Sequence, residues 1–250
     1  MTGLRNPSGL SNPRLHCEKL TMKKLMLLHG ALGAASMTEP LAGRLNGNFE
    51  VHILNFSGHG GAPFADRFGI EQFTHEVLDF LDKNSFEKVD IFGYSMGGYV
   101  ALNLARLYPE RVGKIVTLAT KFDWTPEGAV RESKMLDPEK IEAKIPAFAK
   151  LLRERHAPND WKVLLHKTAE MMLTLGQQAL LTPAVLSQIQ HPALICLGDA
   201  DQMVSLDETT QAAEALSNGH LRVLEQTPHP LEKVDLDALA AIIRSFLLAD

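Results

Sequence analysis

The sequence predicts an α/β protein: a mainly parallel central sheet flanked by helices and carrying an all-helical cap insertion. Three observations lead there. Short aliphatic runs alternate with amphipathic segments along most of the 250 residues, the pattern of strands covered on both faces and joined by crossover helices. That alternation stops between about residues 121 and 181, where only helical patterns occur. A glycine-rich turn with a serine at its centre, Gly93-Tyr94-Ser95-Met96-Gly97-Gly98, stands between a strand-like run and a helical one.

The expected strands are 24–28, 49–55, 88–93, 113–119, 193–198 and 221–225, with an additional edge strand near 14–20. Helices fit between them. Ile70, Phe73, Val77, Phe80 and Leu81 form one helical stripe, and a second helix spans 95–107 with Pro109 marking its stop. Ser205 and Glu208 form a capping box ahead of an apolar stretch at 212–216, and 234–248 closes the chain as an amphipathic helix. In the insertion, Asp137-Pro138 supplies a polar cap and a first-turn proline, and Pro146 interrupts that helix or begins another. Asn159 or Asp160 caps a third, whose stripe of Trp161, Leu164, Leu165, Thr168, Met171, Met172 and Leu175 ends at Gly176. The expected organisation is a core domain of 1–120 and 182–250 and a lid of 121–181. The alternative is that these helices are only a larger packing layer.

Composition narrows the functional class. A formal net charge of −5 and a sequence pI near 6.1 leave no electrostatic footprint for nucleic acid or an anionic membrane. No apolar segment is long enough to span a bilayer, and residues 1–12 lack the apolar stretch of a signal peptide. The cysteines, Cys17 and Cys196, lie far apart, and Cys196 sits in an apolar run, so a reducing, cytoplasmic setting is expected. The partner expected is a small-molecule substrate, with the chain a monomer or homodimer. No zinc-binding motif, P-loop or dinucleotide fingerprint appears, so neither metal nor cofactor is expected.

The serine turn carries the chemistry. G-x-S-x-G between a strand and a helix strains the backbone at the serine and projects its hydroxyl above the sheet, while the small flanking residues let strand and helix approach. Such a serine needs a base, and the base needs an orienting carboxylate. In the chain order of this motif the acid and the histidine follow the nucleophile. His16, His29, His52, His59 and His75 precede Ser95; His156 and His166 lie in the insertion, His191 before a strand, and His220 at the start of the last strand. His229, in the loop after that strand, is the expected base. Asp201, in Gly198-Asp199-Ala200-Asp201, is the preferred acid, with Asp123 and Asp199 as alternatives. The oxyanion donors expected are the amide of Met96, the residue after the nucleophile, and that of Ala31, after the bend at Gly30.

Leu28-His29-Gly30, the turn Gly58-His59-Gly60, the elbow around Ser95, Gly198-x-x-Asp201-x-x-Val204 and the late His229 together resemble the α/β-hydrolase superfamily, from about residue 25 to the C-terminus. The resemblance implies Ser95 as nucleophile, Asp201 as acid, His229 as base and Ala31 and Met96 as oxyanion donors. Three residues depart from its pattern: Asn55 where aspartate is common, Ala62 for serine, and Pro228 for glycine before the histidine. The implied activity is hydrolysis of a small, apolar carboxylic ester or related acyl compound through an acyl-enzyme. Phe148, Leu152, Met171 and Met172 of the insertion either wall the substrate or simply pack. A lyase, synthase or C–C bond hydrolase with the same triad, or a weakly catalytic receptor, are the alternatives.

Overall fold

A computed structural model of the chain describes residues 22–249. The possible edge strand near 14–20, and Cys17 with it, lie outside the described residues. Six parallel strands form one sheet: β1 (Lys23–Leu28), β2 (Phe49–Ile53), β3 (Val89–Tyr94), β4 (Val112–Leu118), β5 (Ala193–Gly198) and β6 (Gly219–Leu224), in the order β2-β1-β3-β4-β5-β6. The chain steps outward from β1 to β2 and returns on the other side of β1 as β3. The strand order therefore reverses between β1 and β3, and the crevice above their C-terminal ends is where ligands of open parallel sheets gather. Leu28 pairs with Gly93 at that edge, which brings the loop after β1 against the turn after β3.

Alternation along the strands builds two layers of core. Met26, Leu28 and Ile91 face α2 (Ile70–Lys83) and α3 (Met96–Leu107), with Phe73, Val77 and Val100 completing that layer. Leu25, Leu27 and Phe92 face α1 (Glu39–Leu45) and α10 (Leu236–Leu248), packing on Leu41, Leu239 and Ile243. Cys196 is fully buried in β5, and burial pushes its thiol up to about 12, so it acts as a small apolar residue. Among the described residues no helix is long and apolar enough to cross a membrane.

Several boundaries differ from expectation for local reasons. The helix predicted from 95 starts at Met96 because Ser95 has φ +51°, which a helical residue cannot adopt. The last helix starts at Leu236, not 234, because the Asp235 side chain accepts from the amides of Asp237 and Ala238. β2 stops at Ile53, two residues early, and Asn55 beyond it accepts from the Ala35 amide at 2.6 Å. The Ser205–Glu208 capping box is present and opens α9 (Leu206–Ala215).

Between β4 and β5 the chain forms α4 (Pro126–Ser133), α5 (Pro138–Lys144), α6 (Pro146–His156), α7 (Trp161–Gln177) and the short α8 (Pro183–Leu186). Asp137 caps α5 through the Lys140 amide, and Asp160 caps α7 through the Lys162 amide. Sequence reading missed α1, α4 and α8, all of eight residues or fewer and too short for a helical period to register. Ile141, Ala149, Leu152, Trp161 and Leu165 give these helices an apolar cluster of their own.

Candidate active site

The turn after β3 is built by close approach. The Ser95 amide donates to Leu118 O at 2.8 Å, and the Thr120 hydroxyl donates to Ser95 O at 3.0 Å, so β4 and the residues after it clamp the apex from one side. From the other side, a Cβ at Gly97 would collide with the carbonyl of Leu28 in β1. Gly93 and Gly98 pack against each other with no room for a side chain between them. Small residues are thus a steric condition of the turn, and in return Ser95 is held at positive φ, a conformation that costs an L-residue about 1–2 kcal/mol.

His229 lies in the loop after β6, and its Nδ1 donates to Oδ2 of Asp201 at 2.8 Å. Asp201 sits in the loop after β5, its side chain only 1% exposed. Its other oxygen, Oδ1, accepts from the amides of Met203 at 2.7 Å and Val204 at 3.0 Å. Burial raises the Asp201 carboxyl, but the hydrogen bonds from His229 and those two amides outweigh it and hold the group below its ordinary value. Of the other two acidic candidates, Asp199 is exposed and accepts from the Thr227 amide at 3.3 Å, while Asp123 is exposed and its amide donates to Glu208 at 3.4 Å. Neither is hydrogen-bonded to His229.

Ser95 and His229 line one apolar cavity of about 60 Å³, together with Ala31, Met96, Ile70, Tyr99, Met171, Met172 and Leu175. Met96 opens α3, so its amide has no intrahelical acceptor. The Ala31 amide, in the turn closed by Gly33 N to Gly30 O at 3.1 Å, donates to no group among the described residues. Met171 and Met172 reach the cavity. Phe148 and Leu152 do not: they pack with Ile141, Trp161 and Leu165 inside the inserted helices.

Three features around the site were not read from the sequence. The Tyr94 hydroxyl donates to the His229 carbonyl at 2.9 Å. Second, three histidines cluster behind the loop that carries Ala31, the ring centroids of His29 and His59 being 5.1 Å apart and those of His59 and His156 5.8 Å apart. His29 donates to Gly30 O at 2.8 Å and accepts from the Phe56 amide at 3.2 Å; His156 donates to Leu32 O at 3.1 Å and accepts from the Gly60 amide at 3.0 Å. Burial lowers both to about 4 and lowers His59 well below its ordinary value, so all three are neutral near pH 7. Third, Arg155 also donates to Leu32 O, at 2.9 Å, so α6 of the insertion grips the loop from outside. Gly58-His59-Gly60 was legible as a turn; its pairing with His156, 97 residues later than His59, was not.

Comparison with known proteins agrees with this architecture. A family model for the alpha/beta hydrolase fold matches residues 23–137. A pimeloyl-(acyl-carrier protein) methyl ester esterase of Neisseria meningitidis serogroup C is 28% identical over 250 residues, covering 90% of this chain and 94% of its own. Among solved structures, 2-hydroxy-6-oxo-6-phenylhexa-2,4-dienoate hydrolase from Rhodococcus sp. strain RHA1 superposes with a TM-score of 0.74 at 22% identity, over 91% of both chains. The enol-lactonase from Burkholderia xenovorans LB400 does so with a TM-score of 0.71 at 21% identity, over 92% of both. The chain carries the α/β-hydrolase fold. It is an enzyme of the hydrolase class.

Proposed function

We propose that the protein is a serine esterase that cleaves a small carboxylic ester or related acyl compound through a Ser95–His229–Asp201 triad. The observation that carries the reading is the 2.8 Å hydrogen bond from His229 to Asp201 beside a cavity shared with a serine at positive φ. Because His229 donates through Nδ1, its Nε2 is left as the unprotonated nitrogen, free to take the Ser95 proton during attack on the ester carbonyl. Asp201, already ionised and hydrogen-bonded, stabilises the imidazolium that forms. The amides of Ala31 and Met96 hold the oxyanion, at about 3–4 kcal/mol of barrier for a single donor of this kind. The alcohol leaves with the proton returned by His229, and water activated by the same ring releases the acid.

The relative from Neisseria is named a methyl ester esterase, which supports an ester as the bond cleaved and a small alcohol as leaving group. The cavity volume of about 60 Å³ supports a short substrate arm beside Ser95, since an engineered cavity of about 150 Å³ is what benzene occupies. Residues 121–181 serve as a lid in this reading: Met171 and Met172 line the cavity that holds the nucleophile, and Arg155 and His156 tie the helices to the Ala31 loop. The two widely separated cysteines and the absence of like-charge blocks support a cytoplasmic enzyme, monomeric or dimeric, acting on a small molecule.

A fluorophosphonate probe tests the activated serine. Labelling is expected in the wild type and absent in Ser95→Ala, together with turnover of p-nitrophenyl esters that declines as the acyl chain lengthens. A wild type that neither labels nor hydrolyses any ester or thioester refutes the proposal.

A further inference from the structure

Polar side chains gather at one end of the otherwise apolar cavity. Lys121 and Trp124, from the segment after β4, and Glu132, from α4, all line it. Lys121 Nζ stands 3.9 Å from Oε1 of Glu132 and 3.9 Å from Oε2 of Glu208, outside hydrogen-bond range of both. Glu208 is fully occupied elsewhere. Its Oε1 accepts from the Phe122 amide at 3.0 Å and the Asp123 amide at 3.4 Å, and its Oε2 from the amide and hydroxyl of Ser205 at 3.2 and 3.1 Å. The Glu132 carboxylate is less engaged: its side chain is 11% exposed, and beyond the 3.9 Å approach of Lys121 it accepts no hydrogen bond among the described residues. The indole Nε1 of Trp124 is buried and has no acceptor.

Lys121 and Glu132 thus pair only at ion-pair distance, with the ammonium also 5.8 Å from the Trp124 ring centroid, and of the three groups the indole N–H is the one buried without any partner, which is unfavourable. Nothing in the acyl-transfer chemistry at Ser95 employs them. Their charges restrict what could. Glu132 and Glu208 outnumber Lys121, so a ligand carboxylate would add a third negative charge to the cluster, and a ligand ammonium would abut that of Lys121. A neutral group that both donates and accepts meets neither repulsion.

We propose that this end of the cavity recognises an uncharged donor–acceptor group, such as a primary amide, on the arm of the substrate remote from the scissile ester. Its carbonyl accepts from Trp124 Nε1 and Lys121 Nζ, and its N–H donates to Glu132. The substrate class is then a short ester with a neutral polar terminus, reached across the apolar walls of Ile70, Tyr99, Met171 and Leu175. The inference rests on the reading that Ser95 attacks within this cavity.

The test uses three near-isosteric termini, carboxamide, carboxylate and isopropyl, on methyl esters with short methylene spacers of graded length, and the same termini on the alcohol arm of acetate esters. On at least one arm, kcat/KM for the carboxamide is expected to exceed that for the isopropyl ester about tenfold or more, and to exceed that for the carboxylate. Trp124→Phe, which keeps the ring and loses the donor, and Glu132→Leu should each lower the carboxamide-to-isopropyl ratio to about threefold or less; Glu132→Gln, still an acceptor, should retain part of it. Calorimetric titration of Ser95→Ala with the same intact esters reads the subsite without turnover and should show about tenfold tighter Kd for the carboxamide. Equal constants for the three termini, no binding of any, or preference for the carboxylate would overturn the subsite even if wild-type ester turnover is robust. Selective carboxamide binding by a protein whose wild type hydrolyses nothing would uphold the subsite and remove the esterase reading alone.

Discussion

The hydroxyl of Tyr94 donates a 2.9 Å hydrogen bond to the backbone carbonyl of His229, so the residue before the candidate nucleophile holds the backbone of the candidate base. Their rings lie 5.7 Å apart, and burial keeps the phenol protonated by pushing its titration far above the usual range. Tyr94→Phe removes this tie and leaves a carbonyl without its donor. The expected result is a stability loss of about 1 kcal/mol and a fall in kcat of about tenfold with KM changed less than about twofold. Steady-state kinetics and thermal denaturation measure both. Unchanged kcat would show that His229 is aimed by other contacts.

The acid assignment makes a sharp comparison. Asp201→Asn keeps the shape but favours the wrong tautomer of His229, and kcat should drop about 10³- to 10⁴-fold. Asp199→Asn and Asp123→Asn touch exposed groups that are not hydrogen-bonded to His229, and each should change kcat by less than about threefold. A severe defect in either would reassign the role.

Strain at the elbow has a thermodynamic signature. Glycine tolerates φ near +51°, whereas alanine does not. Ser95→Gly should therefore be more stable than Ser95→Ala by about 1 kcal/mol, with both inactive. Chemical denaturation of the two variants decides it, and equal stability would mean that the turn relaxes once the hydroxyl is gone.

The buried histidines set an acid limit. His29 and His156 titrate near 4 in the folded chain, against 6.5 for an ordinary imidazole. Between those values the unfolded chain binds more protons, so stability is complete above about pH 6.5 and declines as pH falls, by up to about 1.4 kcal/mol per pH unit for each ring. Asp201 acts further down the scale, its depressed carboxyl giving stability that is lost as it is protonated. Denaturant midpoints measured from pH 7 to 4 should fall throughout, and His156→Gln should flatten the slope. A midpoint constant over that range would contradict the neutral cluster.

Much of the molecule is legible before any fold is known, where the signal is local. The four central strands, β1, β3, β4 and β5, leave largely aliphatic runs because they are covered on both faces, whereas β2 and β6 stand at the edges and β6 is mostly exposed. Asp137, Asp160 and Ser205 announce helix starts because a cap is satisfied within three residues of itself. The short helices α4 and α8 carry a local signal of the same kind, a capping threonine before a first-turn proline at Thr125-Pro126 and Thr182-Pro183, but no period long enough to confirm it, whereas α1 has no side-chain cap and owes its place to packing on neighbours. Phe148 and Leu152 have the same apolar chemistry as Met171 and Met172, and only the direction in which α6 and α7 face separates the cavity wall from the interior of the inserted helices.

The amino-acid order by itself determined the alternating architecture, the serine elbow with its small flanking residues, and a short set of candidate acids and bases, because each depends on neighbours along the chain. Tertiary structure alone decided that Asp201 rather than Asp199 meets His229, that Tyr94 holds the base, that three distant histidines share one dry cluster, and that Lys121, Trp124 and Glu132 close on the same cavity. Those relations join residues up to 135 positions apart, and they follow from sheet order and helix docking, which leave no periodic or local trace in the sequence.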